Sequence, residues 1–167
     1  MDSVDILMST YNGEKFIEEQ LLSLLHQSHK NIKIIIRDDG SVDSTREIIF
    51  DYMDRFPGKI EYFNENVNLG SSKSFLRLLN FSSADYFMFC DQDDVWCSDK
   101  VEKCLMKMKE IESSCEKGGP VLVFTDLKVV DAHLNVLSES LWRTQKLDPN
   151  IALDWKKLLA QNVVTGC

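Results

Sequence analysis

Residues 84 to 97, Ala-Asp-Tyr-Phe-Met-Phe-Cys-Asp-Gln-Asp-Asp-Val-Trp-Cys, set three carboxylates directly behind a run of apolar and aromatic side chains. Tyr86 to Cys90 reads as a strand buried on both faces, because such an unbroken run leaves no polar side for water. Nothing apolar follows that would hide the charges. If the chain stays extended past Cys90, Asp91 and Asp93 point to one side and Asp94 to the other, so two like charges converge on one point. Such a pair invites a cation. An all-oxygen donor set suits Mg²⁺ or Mn²⁺, with substrate phosphates and water completing the shell. A solvated acidic turn is the plainer alternative for Asp-x-Asp alone. The position at the C-terminal end of a buried strand favours a site, since open α/β sheets bind ligands outside those ends.

The elements that must hold this cluster alternate along the chain. Val4 to Met8 is a short apolar strand ending at Ser9-Thr10-Tyr11-Asn12-Gly13, where Asn12 can cap a helix whose inward face is Ile17, Leu21, Leu24 and Leu25. Ile32 to Ile36 is a β-branched strand that stops at Arg37-Asp38-Asp39-Gly40-Ser41. Ser44 and Glu47 then have capping-box spacing before the stripe Ile48, Ile49, Tyr52, Met53, Phe56, and Pro57-Gly58 ends that helix. Lys59 to Phe63 gives a third strand, Asn68-Leu69-Gly70 a turn, and Phe75, Leu76, Leu78 and Leu79 the core face of a third helix. Asp99 and Glu102 can cap a fourth helix through Val101, Leu105, Met108 and Ile111, and Gly118-Gly119-Pro120 leads into a strand at Val121 to Phe124. This βαβα order predicts an α/β fold with a mostly parallel sheet, helices on both faces and right-handed crossovers.

In a parallel sheet the loops at residues 9 to 13, 37 to 41 and 90 to 96 emerge at one edge and can line one crevice. Asp38-Asp39-Gly40-Ser41 serves equally as a turn with a helix cap. A carboxylate there can instead accept the N3–H of a pyrimidine, a directed bond that separates uracil or thymine from the purines. Lys73 either offers a point charge to a phosphate or is simply solvated.

Composition sets outer limits. At 167 residues, 44% hydrophobic and 28% charged, the chain suits one globular domain with a sizeable core. A net charge of −8 and a pI near 4.9 argue against nucleic acid, whose phosphate backbone is bound mostly through Lys and Arg clusters. No apolar run approaches the roughly 20 residues that span a bilayer, and no basic segment precedes an apolar one at the N-terminus, so the expected location is cytoplasmic. The five cysteines, Cys90, Cys97, Cys104, Cys115 and Cys167, are odd in number without a Cys-x-x-Cys pair, which suggests reduced thiols rather than a zinc site or disulfide framework. His26, His29 and His133 are scattered and read as helix-end or surface residues.

Met8-Ser9-Thr10-Tyr11-Asn12-Gly13, Arg37 to Thr45, Asn68-Leu69-Gly70 and Cys90-Asp91-Gln92-Asp93-Asp94-Val95-Trp96 together resemble the ordered motifs of family 2 glycosyltransferases with a GT-A fold. The nearest likeness is to bacterial rhamnosyltransferase-like members that build surface polysaccharides. Each motif is short, and their order and strand context carry the resemblance, which runs to about residue 130.

The resemblance implies a Rossmann-like GT-A nucleotide-sugar transferase fold and an inverting transferase. Such an enzyme moves a sugar from a UDP- or dTDP-linked donor to a saccharide or lipid-linked acceptor, with Mg²⁺ or Mn²⁺ as cofactor. Position by position, Thr10 and Tyr11 would flank the pyrimidine with Asn12 beside them, Asp39 would accept its N3–H, and Asp38 would be structural. Asp91 would approach the ribose and the metal, Asp93 would be the main metal ligand, and Asp94 would stand outside the direct ligands. Lys73 would reach the phosphates, although Ser74 stands where family members often carry an amide. In relatives the general base lies well past the segment similar to Asn162-Val163-Val164-Thr165-Gly166-Cys167. Residues 1–167 are therefore expected to form a single donor-binding domain, truncated at its C-terminus, with the catalytic base beyond Cys167 and unable to complete transfer alone. Asp126 and Asp131 read as turn residues near a later strand end. Strand edges left uncovered past about residue 120 would favour a homo-oligomer. The implied location is cytoplasmic, with peripheral association at the inner face of the membrane left open. Two other readings stand beside this one: a non-catalytic nucleotide-diphosphate-binding or interaction module, and a Mg²⁺-dependent phosphotransferase. Against the latter, the chain has no Gly-rich P-loop, and its paired aspartates follow the second strand rather than the first.

Overall fold

The computed structural model describes residues 2–65, 67–114, 119–158 and 163–164. They form two compact units, Met1–Lys109 and Glu110–Cys167. In the first, β1 (Val4–Thr10), α1 (Ile17–Leu25), β2 (Ile32–Asp38), α2 (Thr45–Arg55), β3 (Ile60–Asn64), α3 (Ser71–Leu79) and β4 (Tyr86–Cys90) follow one another before α4 (Lys100–Ser114) begins. The strands make one parallel sheet in the order β3-β2-β1-β4.

Alternation along the strands divides the core. Val4, Ile6 and Met8 of β1, with Ile34 and Ile36 of β2, pack against Ile17, Leu21 and Leu24 of α1, Ile49 and Tyr52 of α2 and Val101 of α4. Leu7 and Ile35 face the other way, onto Leu78 of α3. Each such side chain contributes about 1.5–3 kcal/mol by leaving water. The path explains the placement of the helices. The chain steps from β1 to β2 to β3 with its helices on one face, then reverses past β1 to β4 with α3 on the opposite face, as right-handed crossovers require. That reversal is a topological switch point, and it lies between β1 and β4. Asp5, buried on the α3 side, accepts from Ser82 Oγ at 2.9 Å, Ser83 N at 3.0 Å and Ala84 N at 3.1 Å, which fixes the start of β4 beside β1.

Several sequence expectations change. β4 is buried on one face, not two: Tyr86, Met88 and Cys90 join the core, whereas Phe87 and Phe89 are exposed, because α3 packs mainly on β1 and β2 on that face. Leu76 of α3 points outward, since the buried stripe runs through Ser74 and Leu78. No strand forms at Val121 to Phe124. The second unit instead holds an antiparallel hairpin of β5 (Val129–Val130) and β6 (Val136–Ser138), then α5 (Leu141–Gln145), a 3₁₀ turn at Pro149–Leu153 and α6 (Trp155–Leu158).

The expected helix caps also find other work. Asn12 does not cap α1, whose N-cap position is Phe16, and the Ser44 side chain makes no capping bond, so the capping box with Glu47 does not form. Asp43 Oδ1 takes Thr45 N at 3.1 Å instead. Asp99 pairs with Lys103, and Glu102 accepts from Ser28 Oγ at 2.6 Å.

Candidate functional site

The loops after β1, β2 and β4 meet at the C-terminal edge of the sheet, and the first two are joined into one body. Asn12 sits in the left-handed region at φ 50°, which Asn tolerates better than most residues. Its N–H donates to Ser41 Oγ at 2.9 Å, and its Oδ1 accepts from Val42 N at 2.9 Å. Gly13 N donates to Thr45 Oγ1 at 2.8 Å and Glu14 N to Asp43 Oδ2 at 3.1 Å, while Ser44 N returns to Glu14 Oε2 at 3.0 Å. Asp39 N donates to the Thr10 carbonyl at 2.8 Å.

Thr10 and Tyr11 differ sharply in access. Thr10 is 1% exposed, with its hydroxyl donating to Gln92 Oε1 at 2.6 Å, whereas Tyr11 is 48% exposed. The Tyr11 side chain is thus open to the crevice, whereas the Thr10 hydroxyl is engaged by Gln92.

Within the β2 loop both carboxylates are held by the protein. Asp38 is fully buried and accepts from Ser41 N at 2.9 Å, Ser41 Oγ and Arg46 Nε at 2.6 Å, and Tyr62 Oη at 3.0 Å. Burial pushes its pKa up, but the bonds from Ser41, Arg46 and Tyr62 outweigh that and hold it below the ordinary carboxylate value. The same carboxylate, after burial, is what drives the Tyr62 hydroxyl up to about 12. Asp39 is paired with the fully buried Arg37 and accepts from Leu69 N at 2.7 Å and Gly70 N at 2.8 Å. Burial again raises its pKa, and the Leu69 amide, Arg37 and the Gly70 amide together lower it further than burial lifts it. An ionised carboxylate has about four lone-pair positions, so Asp39 keeps roughly one for a ligand. Arg37 also donates to Ser74 Oγ at 3.0 Å and the Val67 carbonyl at 2.9 Å, and Ser9 Oγ donates to Ser74 Oγ at 2.6 Å. Ser74 thus ties α3 to the ends of β1 and β2. Lys73, its neighbour, is exposed.

The acidic loop differs from its sequence geometry. The strand stops at Cys90 and the chain turns at Gln92 and Asp93, so the alternation that would set Asp91 and Asp93 on one side does not apply. Asp93 is exposed and Asp91 partly buried. Burial first, then the charge of Asp94, then that of Asp93, push the Asp91 carboxyl up to about 6 against the downward pull of Lys100. Asp94 therefore acts on Asp91 more strongly than Asp93 does. Asp94 Oδ2 is buried and has no hydrogen-bond partner among the described residues. Nor is any of the three ion-paired to Lys or Arg there, and among the described residues no group of three or more His, Cys, Asp or Glu is disposed to hold a metal ion. The open carboxylates of Asp91 and Asp93 fit a divalent ion that takes one or two protein oxygens and completes its shell from a ligand.

Sequence reasoning missed the residues that support this loop. Gln20 and Ser23 of α1, and Gln27 just past its end, bind the backbone of the acidic loop. Gln20 Nε2 donates to Cys90 Sγ at 2.8 Å and the Asp91 carbonyl at 3.2 Å, and Ser23 Oγ accepts from Trp96 N at 3.1 Å. Gln27 Nε2 donates to the Cys97 carbonyl at 2.9 Å, and its Oε1 accepts from Val101 N at 3.1 Å. Their signal was in plain view: polar residues at helical spacing inside a leucine stripe need buried partners.

The remaining candidates are occupied. In the second unit Asp126 accepts from Ser140 Oγ at 2.5 Å and Trp142 N at 3.1 Å, and Asp131 closes the β5–β6 turn through His133 N at 2.8 Å and Asn135 N at 2.9 Å. His26 Nδ1 lies 2.7 Å from the Leu22 carbonyl and His29 Nε2 3.0 Å from that of Asp2, both backbone contacts. Among the described residues no helix is long and apolar enough to cross a membrane.

Comparison with known proteins agrees with this architecture. The dTDP-rhamnosyl transferase RfbG of Shigella flexneri is 39% identical over 102 residues, 59% of this chain and 35% of the relative, so the chain spans about a third of that protein's length. S. aureus TarS 1-349 in complex with UDP-GlcNAc superposes with a TM-score of 0.61 at 23% identity, over 77% of this chain and 40% of that one. The mannosyltransferase PcManGT from Pyrobaculum calidifontis, in complex with GDP-Man and Mn²⁺, gives 0.59 at 19% identity over 62% and 31%. These likenesses establish the GT-A fold. The sequence pattern described as glycosyl transferase family 2 matches residues 5–160, and the chain belongs to that family.

Proposed function

We propose that this chain is the donor-binding part of an inverting glycosyltransferase that takes a UDP- or dTDP-linked sugar to a saccharide or lipid-linked acceptor in bacterial surface polysaccharide synthesis. The observation that carries the reading is the acidic loop at the β1/β4 switch point, where carboxylates that form no ion pair among the described residues stand beside the exposed Tyr11. The dTDP-rhamnosyl relative and the UDP-GlcNAc and GDP-Man complexes of similar structures support a nucleoside-diphosphate sugar, and the Mn²⁺ of the last supports a divalent ion.

Each residue then has a task. The Tyr11 ring lines the base, with Thr10 and Asn12 shaping the loop beneath it, and the remaining acceptor position of Asp39 takes the pyrimidine N3–H. Asp91 faces the ribose and the ion, Asp93 is the main metal ligand because it is exposed to an incoming ion, and Lys73 is open to a phosphate. A bound Mg²⁺ or Mn²⁺ supplies Lewis-acid stabilisation of the departing diphosphate. The acceptor hydroxyl must also lose its proton to a base. Asp126 and Asp131 are spent on their own turns, so among the described residues no carboxylate is assigned that role.

Equilibrium titration with UDP, dTDP, CDP and ATP, each with and without Mn²⁺, tests the proposal. Tighter binding of UDP or dTDP with Mn²⁺ is the expected result. ATP preference would replace it with a phosphotransferase, and binding of none with an interaction module.

A further inference from the structure

Gln92 stands between the two carboxylates assigned to the cation, yet its side chain turns away from them and back across the crevice. Its Oε1 accepts from Thr10 Oγ1 at 2.6 Å and from Tyr11 N at 2.9 Å, and its Nε2 donates to the Tyr11 carbonyl at 3.2 Å. The two bonds to Tyr11 copy what a neighbouring strand would supply. They begin where backbone pairing ends, since the last β1–β4 register pair is Met8 with Cys90. Gly13 completes the seat: a Cβ built there would lie 2.5 Å from Gln92 Oε1 and 2.9 Å from its Cδ, with no positive φ to explain the glycine otherwise. Close approach of the Gln92 amide is therefore what that position accommodates.

Each loop is anchored separately. The β1 loop is bound to the β2 loop through Asn12, Gly13 and Glu14, and the acidic loop is bound to α1 through Gln20, Ser23 and Gln27. Among the described residues, Gln92 makes the hydrogen bonds that join one loop to the other. From this we infer that Gln92 is a positioning residue that couples the cation-binding carboxylates to the base-binding loop, so that ion and nucleotide bind cooperatively. The inference rests on the functional reading above, because it needs Asp91 and Asp93 to take the ion.

The quantity to measure is the factor by which Mn²⁺ tightens UDP binding, with uridine as a ligand that lacks the diphosphate. Losing a residue that orients metal ligands typically costs 10–100-fold in metal affinity. Gln92→Ala should thus cut the Mn²⁺ factor about tenfold or more. Uridine affinity without Mn²⁺ should stay near wild type, because the bonds of the β1 loop to the β2 loop remain, while the thermal transition falls modestly as the buried Thr10 hydroxyl and the Tyr11 amide lose their acceptor. Gln92→Met fills the same space without an amide and should behave like Gln92→Ala. Gln92→Glu keeps the acceptor for Thr10 Oγ1 and Tyr11 N but loses the donor to the Tyr11 carbonyl, and should retain part of the factor. Gly13→Ala expels the amide with Gln92 still present, so it should reproduce the loss, and combining it with Gln92→Ala should add nothing further. A full Mn²⁺ factor in Gln92→Ala and Gln92→Met, or additive losses at positions 13 and 92, would overturn the role of Gln92 alone. A wild-type chain whose UDP binding ignores Mn²⁺ would overturn the functional reading itself.

Discussion

The aspartates after β2 and those after β4 are the same chemical group on the same edge of the same sheet, yet they meet opposite surroundings. Asp38 and Asp39 are wrapped by Arg46, Tyr62, Arg37 and backbone amides, and both are held ionised. Asp91, Asp93 and Asp94 form no such ion pair among the described residues, and burial with the charges of Asp94 and Asp93 pushes the Asp91 carboxyl up to about 6 against the pull of Lys100. The contrast separates two uses of a carboxylate. One kind is a fixed part of the architecture, with at most one acceptor position left over. The other is uncompensated until something positive arrives, and a motif of adjacent aspartates does not by itself say which kind it is.

The largest expected effect falls on the wrapped side. Arg37→Ala empties a fully buried side chain and strips Asp39 of its cation, which should cost about 3–5 kcal/mol in urea unfolding. A loss below about 1 kcal/mol would mean the two loops are not so different after all. Next, Asp39→Asn keeps the shape but turns part of the acceptor edge into a donor. UDP should weaken by about 1.5–3 kcal/mol, roughly ten- to a hundredfold, while CDP, which has no N3–H, changes little. Equal effects on the two nucleotides would remove Asp39 from base recognition.

A smaller effect appears on acidification. The folded pKa of Asp38 lies below its ordinary value of 3.8, so its stabilisation is fully present above that value and is lost as pH falls through the lower folded one. Denaturant midpoints measured between pH 5 and pH 2 should decline in wild type and decline less in Asp38→Asn; identical profiles would refute the assignment. The smallest effect belongs to the exposed Asp93. Asp93→Ala should change stability by no more than about 0.5 kcal/mol while abolishing Mn²⁺ enhancement of UDP binding, and a large stability loss would place Asp93 among the wrapped carboxylates instead.

Much of the first unit was legible in the sequence because periodicity reports burial. Ile17, Leu21 and Leu24 at helical spacing, and Ile32 to Ile36 as a β-branched run, have one economical solution each. What escaped depends on partners distant along the chain. Phe87 and Phe89 belong to an apolar run whether or not a neighbour covers them. Asn12 and Ser44 are good local cap residues and Gln92 is a polar loop residue, and only the approach of loops about 30 or 80 positions away decides what they bind. Of the site, sequence picked out the three loops, while the fourfold claim on Asp38, the shielding of Thr10 and the support from Gln20, Ser23 and Gln27 required coordinates.

Cys90 gives the acidic loop a built-in chemical clock. Its thiol is fully buried, burial drives its pKa well above the ordinary range, and Gln20 holds it one residue before Asp91. An alkylating reagent attacks thiolate, so Cys90 reacts only in molecules whose β4 end has opened, whereas the exposed Cys97 reacts from the folded state. Their relative labelling rates, followed by peptide mass, therefore count the openings of the very segment that presents the carboxylates. A ligand bound there should slow the Cys90 rate by the same factor as it stabilises the closed loop.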